Sequence, residues 1–191
     1  MPRGLPATTD PLVAGRARLI LATCAGLTLA AWSLVLTWLI SGDLEGETVV
    51  STVILSVILL GVAVVSRSGR VTLATWLLIV LQALAIMSDV AYYGIGAPGS
   101  FLFVLPIILA ACLLGLAGGV IVAIIGALMA WGVAIGAMQG WLAVAIPFQM
   151  DHLTFNAPLI SIIFLLVALI VGWWSRYLST LIKHAKAIST E

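Results

Sequence analysis

The chain has 191 residues, 63% of them hydrophobic and 8% charged, with a formal net charge of +1 and a mean hydropathy of +1.29. Soluble domains are about 45–50% apolar and about 25% charged, so a soluble globule is excluded, and so is a disordered chain, which needs low hydrophobicity. A net charge this small exerts no pull on nucleic acid, and the expected surroundings are membrane lipid.

Crossing a bilayer as a helix takes roughly 20 mostly apolar residues. Six stretches are read as spans: 19–40, 49–65, 71–91, 101–116, 118–137 and 158–174. The runs are continuous, whereas barrel strands alternate apolar and polar residues, so the expected fold class is all-α: a bundle of six transmembrane helices. Residues 1–18 form a polar, proline-containing leader, 19–174 the bundle and 175–191 a helical extension. Only five residues separate Arg18 from Cys24, too few for the core of a signal peptide, so the N-terminus is read as uncleaved. Cys24 and Cys112 lie within apolar runs and are read as small hydrophobes.

Gly115-Leu116-Ala117-Gly118-Gly119 joins the fourth and fifth spans as a tight hairpin. The longest connection, 138–156, carries the apolar run 140–148 and is expected to lie in the interface or to re-enter the bilayer.

Positive charge favours the cytoplasmic side. With six spans, all eight basic residues (Arg3, Arg16, Arg18, Arg67, Arg70, Arg176, Lys183 and Lys186) fall on one side together with both termini. The other side holds Asp43, Glu45, Glu47, Asp89 and Asp151, five of the seven acids. The expected location is the bacterial inner membrane with both termini cytoplasmic. Trp38, Trp76, Trp141, Trp173 and Trp174 lie near span ends, where indole rings prefer to sit.

Few residues are candidates for chemistry. Gln82 and Asp89 are seven apart, on one face of the third span, and Tyr92 and Tyr93 follow. Asp89 reads either as an interfacial carboxylate or as a proton or ligand site. Asp151 and His152 lie in the long loop between Gln149 and Asn156. There Asp151 reads as a turn or helix cap, and His152 as a cap neighbour, a metal or chlorin ligand or a pH sensor. Gly132, Gly136 and Gly140 recur every fourth residue, as do Gly115 and Gly119, a pattern that lets helices pack closely within or between chains.

Trp174, Leu178, Leu181, Ala185 and Ile188 follow a 4-3-4-3 spacing, with Arg176, Lys183 and Lys186 off that stripe. This is the a/d pattern of a coiled coil, and a basic amphipathic end lying on anionic lipid has the same spacing. No Walker motif, dinucleotide fingerprint, HExxH or nucleophile elbow occurs, and a non-enzymatic protein is expected.

The inner turn Ser66-Arg67-Ser68-Gly69-Arg70 runs into Leu73-Ala74-Thr75-Trp76-Leu77-Leu78. Gly96-Ala97-Pro98-Gly99-Ser100 precedes Val104-Leu105-Pro106-Ile107-Ile108-Leu109-Ala110, and Leu113-Leu114-Gly115-Leu116-Ala117-Gly118-Gly119 follows. This order, across residues 15–190, resembles the N-terminal membrane module of bacterial sensor histidine kinases and diguanylate-cyclase-type receptors. The resemblance implies a sensor whose last span feeds a cytoplasmic GAF, PAS or kinase domain through a stalk, with a protein partner or a homodimer formed through bundle and stalk. No such domain lies within these 191 residues, which leaves a piece of a receptor and a free-standing subunit as alternatives. Two other readings stand beside it. One is an accessory subunit of a respiratory or photosynthetic complex, packed on neighbouring proteins, quinone or pigment. The other is the substrate-binding membrane component of a vitamin transporter, to which residues 113–119 are mildly similar.

Overall fold

The structure, a computed structural model, describes residues 11–42, 46–145 and 149–188, with the backbone alone at 11, 12, 98 and 182–188. Helix takes 89% of these residues and no strand occurs among them. The elements are α1 (Pro11–Ser41), α2 (Gly46–Arg67), α3 (Val71–Tyr93), a 3-10 helix (Pro98–Phe103), α4 (Val104–Leu113), α5 (Leu116–Met138), a π-helical turn (His152–Asn156) and α6 (Ala157–Ile188). Five helices among the described residues are long and apolar enough to cross a membrane. Large apolar side chains point outward along them, including Leu29, Leu60, Leu128 and Ile170. Soluble proteins rarely expose such patches, whereas lipid is a good solvent for them. The chain is an α-helical integral membrane protein.

The sequence anticipates six spans, and the fourth differs in form. The stretch expected over 101–116 is a composite, six residues of 3-10 helix followed by ten of α-helix. Pro106 explains the break, because it lacks the N–H that would bond the carbonyl four residues back and so belongs in a first helical turn. At the other end Leu114 N–H closes on the Ala110 carbonyl, and Gly115 takes a φ of 84° that favours glycine. At about 1.5 Å per α residue and about 2.0 Å per 3-10 residue, the composite is about 27 Å long. Most of α4 is buried in protein: Pro106, Ile107, Leu109, Ala110, Ala111 and Leu113 are all covered.

Packing divides the chain into two compact units, Met1–Leu78 and Ile79–Glu191, with the boundary inside α3. In the first unit α1 packs on α2, and Ala17, Ile20 and Cys24 form a buried stripe along α1. Trp32 Nε1 donates to Ser56 Oγ (3.2 Å) between the two helices. Cys24, Thr28, Ser56 and Leu59 line an apolar cleft of about 510 Å³ between them.

In the second unit α5 is the hub, packing on α4 and α6. Its inward face is made of small residues, including Gly119, Ala123, Gly126, Ala130 and Ala134. A Cβ on Gly119 would come within 2.7 Å of the Ala111 Cβ, so α4 and α5 touch backbone to backbone there. A Cβ on Gly172 would lie 2.8 Å from the Leu116 Cα, which brings α6 equally close to the start of α5. Trp131 Nε1 donates to Ser161 Oγ (3.2 Å), tying α5 to α6.

Candidate functional site

The polar residues of the second unit gather where α3 ends and α6 begins. The chain leaves α3 through Gly94 (φ 88°) and folds residues 94–100 into a compact turn. Ala97 N–H bonds the Gly94 carbonyl (3.2 Å), Ser100 N–H bonds the Ala97 carbonyl (3.1 Å), and Ser100 Oγ donates to the Ile95 carbonyl (3.0 Å). The segment before α6 is fastened to the same place. Ala145 N–H donates to the Tyr92 carbonyl (2.7 Å), and Val144 covers Gly94.

Two of the candidate side chains reach this turn, each onto a glycine. Asp89 Oδ2 rests directly on Gly99, where no Cβ would fit. His152 presents Nε2 to Gly96, where a Cβ would stand 2.8 Å from it. The imidazole is buried, at 8% exposure. On its other edge, Nδ1 accepts the Gln149 N–H (3.4 Å), while His152 N–H donates to the Gln149 carbonyl (2.9 Å). This reciprocal pair starts the π-helical turn that leads into α6, and such turns recur at functional sites. Asp151 is exposed beside it. Tyr92 and Tyr93 are exposed and meet edge to face, with centroids 4.8 Å apart.

Gln82 lies two turns before Asp89 and is buried, with no hydrogen-bond partner for Oε1. Between these two levels Ile86, Met87, Val90, Ser100, Phe103 and Phe164 surround a cavity of about 20 Å³, space for about one water. Its lining is apolar apart from Ser100, whose hydroxyl is already engaged by the Ile95 carbonyl. Among the described residues no three of His, Cys, Asp and Glu gather to hold a metal ion.

The glycines singled out by spacing take different places. Gly115 and Gly140 are turn residues with positive φ. Gly119 faces Ala111, Gly136 faces Leu142, and Gly132 has open space around it. Two glycines outside that pattern make tight interhelical contacts: Gly172, described above, and Gly126, whose Cβ position is 2.5 Å from the Phe103 ring. From sequence Gly96 and Gly99 read only as residues of a short glycine-rich connection, since nothing local marks them as seats for side chains distant in sequence. Of the stripe on α6, Trp174, Leu178 and Leu181 are exposed, and Tyr177 stacks against Trp173 (6.1 Å) and meets Trp174 at a tilt (5.9 Å). The side chains of Ala185 and Ile188 lie outside the described residues.

No protein-family model, curated protein or solved structure matches this chain.

Proposed function

We propose that the chain is a non-enzymatic, six-span membrane module of the sensor type. A change of packing at the Asp89–His152 end passes along α6 to its far end and acts there on a protein partner or a second copy. Both termini lie on the cytoplasmic side of a bacterial inner membrane. The carrying observation is the length of α6. Its 32 residues form one uninterrupted helix, about 48 Å long against a hydrocarbon core of about 30 Å. About 18 Å is therefore left beyond the bilayer, enough for a stalk. The helix starts at the His152 turn, and Trp174, Leu178 and Leu181 stand exposed toward its other end.

The six-span topology is supported by the composite of the 3-10 helix and α4, which falls only about 3 Å short of the hydrocarbon core. With that element counted as a span, every lysine and arginine lies on one side.

Gentle extraction in lipid-preserving detergent followed by native mass measurement tests the reading. A homodimer, or a complex with one protein partner, that is lost when residues 178–191 are deleted is the expected result. Co-purification with redox or pigment proteins, independent of the stalk, would overturn it.

A further inference from the structure

We propose that α1 and α2 hold an anionic phospholipid, with one acyl chain in the cleft between them and the phosphate on Arg18, Arg67 and Arg70. The cleft takes the apolar half. Its volume of about 510 Å³ lies within the usual range of about 300–1,000 Å³ for small-molecule sites. Leu21, Ala25 and Leu29 line it from α1, and Leu59, Leu60 and Ala63 from α2. The hydroxyls in its wall are engaged on their own helices: Thr28 Oγ1 donates to the Cys24 carbonyl (2.8 Å) and Ser56 Oγ to the Thr52 carbonyl (2.8 Å). The cleft therefore suits hydrocarbon. From Leu21 to Leu29 it runs about 12 Å along α1, close to the depth of about 15 Å of one hydrocarbon leaflet. At one end the bond from Trp32 Nε1 to Ser56 Oγ (3.2 Å) bridges the two helices. The other end, at Leu21 and Ala63, leads to the arginines.

Helical spacing brings them there. Arg18 stands three residues before Leu21 and seven before Ala25, and Arg67 four after Ala63 and seven after Leu60. Residues so spaced share a helix face, so each arginine extends one wall of the cleft by a turn. The two walls are in register. Arg18 is fourteen residues before Trp32, and Arg70 is fourteen after Ser56, its bonded partner on the antiparallel helix. Arg70 follows Arg67 through a turn at Gly69 (φ 86°), and Arg16 adds a fourth charge at this end. All four arginines are exposed. Carboxylates to neutralise them are scarce. No Asp or Glu occurs between Asp10 and Asp43 or between Glu47 and Asp89. Glu47 opens α2 at the opposite end of the pair, and Asp10 lies outside the described residues. A guanidinium fork matches two phosphate oxygens, and basic pockets between membrane helices take acidic headgroups. The site needs only a bilayer, and is independent of the sensor role and of the side on which the termini lie.

Native mass spectrometry of the full chain tests the site, with the protein released from nanodiscs of equal parts phosphatidylglycerol and phosphatidylcholine with matched chains. One phosphatidylglycerol should stay bound, favoured about tenfold over phosphatidylcholine. Soluble glycerol phosphate, which carries the charge without the chains, should not displace it. Arg18→Gln with Arg67→Gln should abolish the preference. Ala25→Phe keeps every charge and fills the cleft from an exposed position, and should lower phosphatidylglycerol retention about tenfold. Equal retention of the two lipids, as a merely annular lipid gives, would overturn the site. So would a preference that survives the double arginine variant, displacement by glycerol phosphate, or full retention in Ala25→Phe. Should the arginine variant fail to fold, the wild-type preference and Ala25→Phe still decide.

Discussion

Phe103 and Phe164 stack at 5.6 Å with their planes 30° apart, over the spot on α5 where Gly126 leaves out a side chain. Both rings are almost fully buried. The glycine thus works as a seat that lets the end of the 3-10 helix and the first turns of α6 meet across α5. Gly126→Ala places a methyl 2.5 Å from the Phe103 ring and should lower stability by about 1–3 kcal/mol, the usual cost of overpacking. Gly132→Ala, with open space around it, should be neutral or stabilising by up to about 1 kcal/mol. Unfolding in mixed micelles compares the two, and equal effects would deny the seat.

Asp89 on Gly99 predicts a coupling. Gly99→Ala alone should destabilise by displacing the carboxylate, and Asp89→Ala should clear the room that the methyl needs. The double variant should therefore lose less than the sum of the singles, with an interaction energy of about 1 kcal/mol or more. A double-mutant cycle measured by thermal unfolding reads it directly, and strict additivity would mean that the two groups do not touch.

Ser161 Oγ accepts the Trp131 indole N–H and donates its own O–H to the Ala157 carbonyl (2.8 Å). Ser161→Ala leaves the indole unpaired and should cost about 0.5–1.5 kcal/mol, a typical value for one bond between helices in lipid. A red-to-blue change in Trp131 emission, measured with the other tryptophans replaced by phenylalanine, would accompany it.

Topology is open to direct labelling. In a Cys24→Ala, Cys112→Ala background, cysteine substituted for Ser68 should resist an impermeant reagent applied from outside, and cysteine substituted for Glu45 should react. The reverse pattern would overturn the orientation.

Five of the helices were legible because long apolar runs have few alternatives in lipid. Their ends were less so. α1 starts at Pro11, well before its apolar span begins, because backbone hydrogen bonding does not stop where hydrophobicity does. The form of the fourth element was hidden for a related reason. Residues 104–113 are equally apolar whether they face lipid or protein, and only Pro106 hinted at the change of helix type. Helical spacing placed Gln82 and Asp89 on one face, since that is a local property. The seats of Asp89 on Gly99 and of His152 on Gly96 depend on how separate segments return to one another, and neither pattern nor composition records that. Gly126 differs from Gly132 only in which side of α5 meets a neighbour.

The shortness of α4 also bears on how the protein is made. Ten residues give a bilayer little to hold, and the 3-10 turns ahead of them leave backbone groups less well satisfied than an α-helix does. Ala111 meets Gly119 of α5, a contact that exists only once both helices are made. A chain truncated before α5 should therefore hold residues 98–113 in lipid less well than one that extends through Met138, which protease protection of the truncated chains would show.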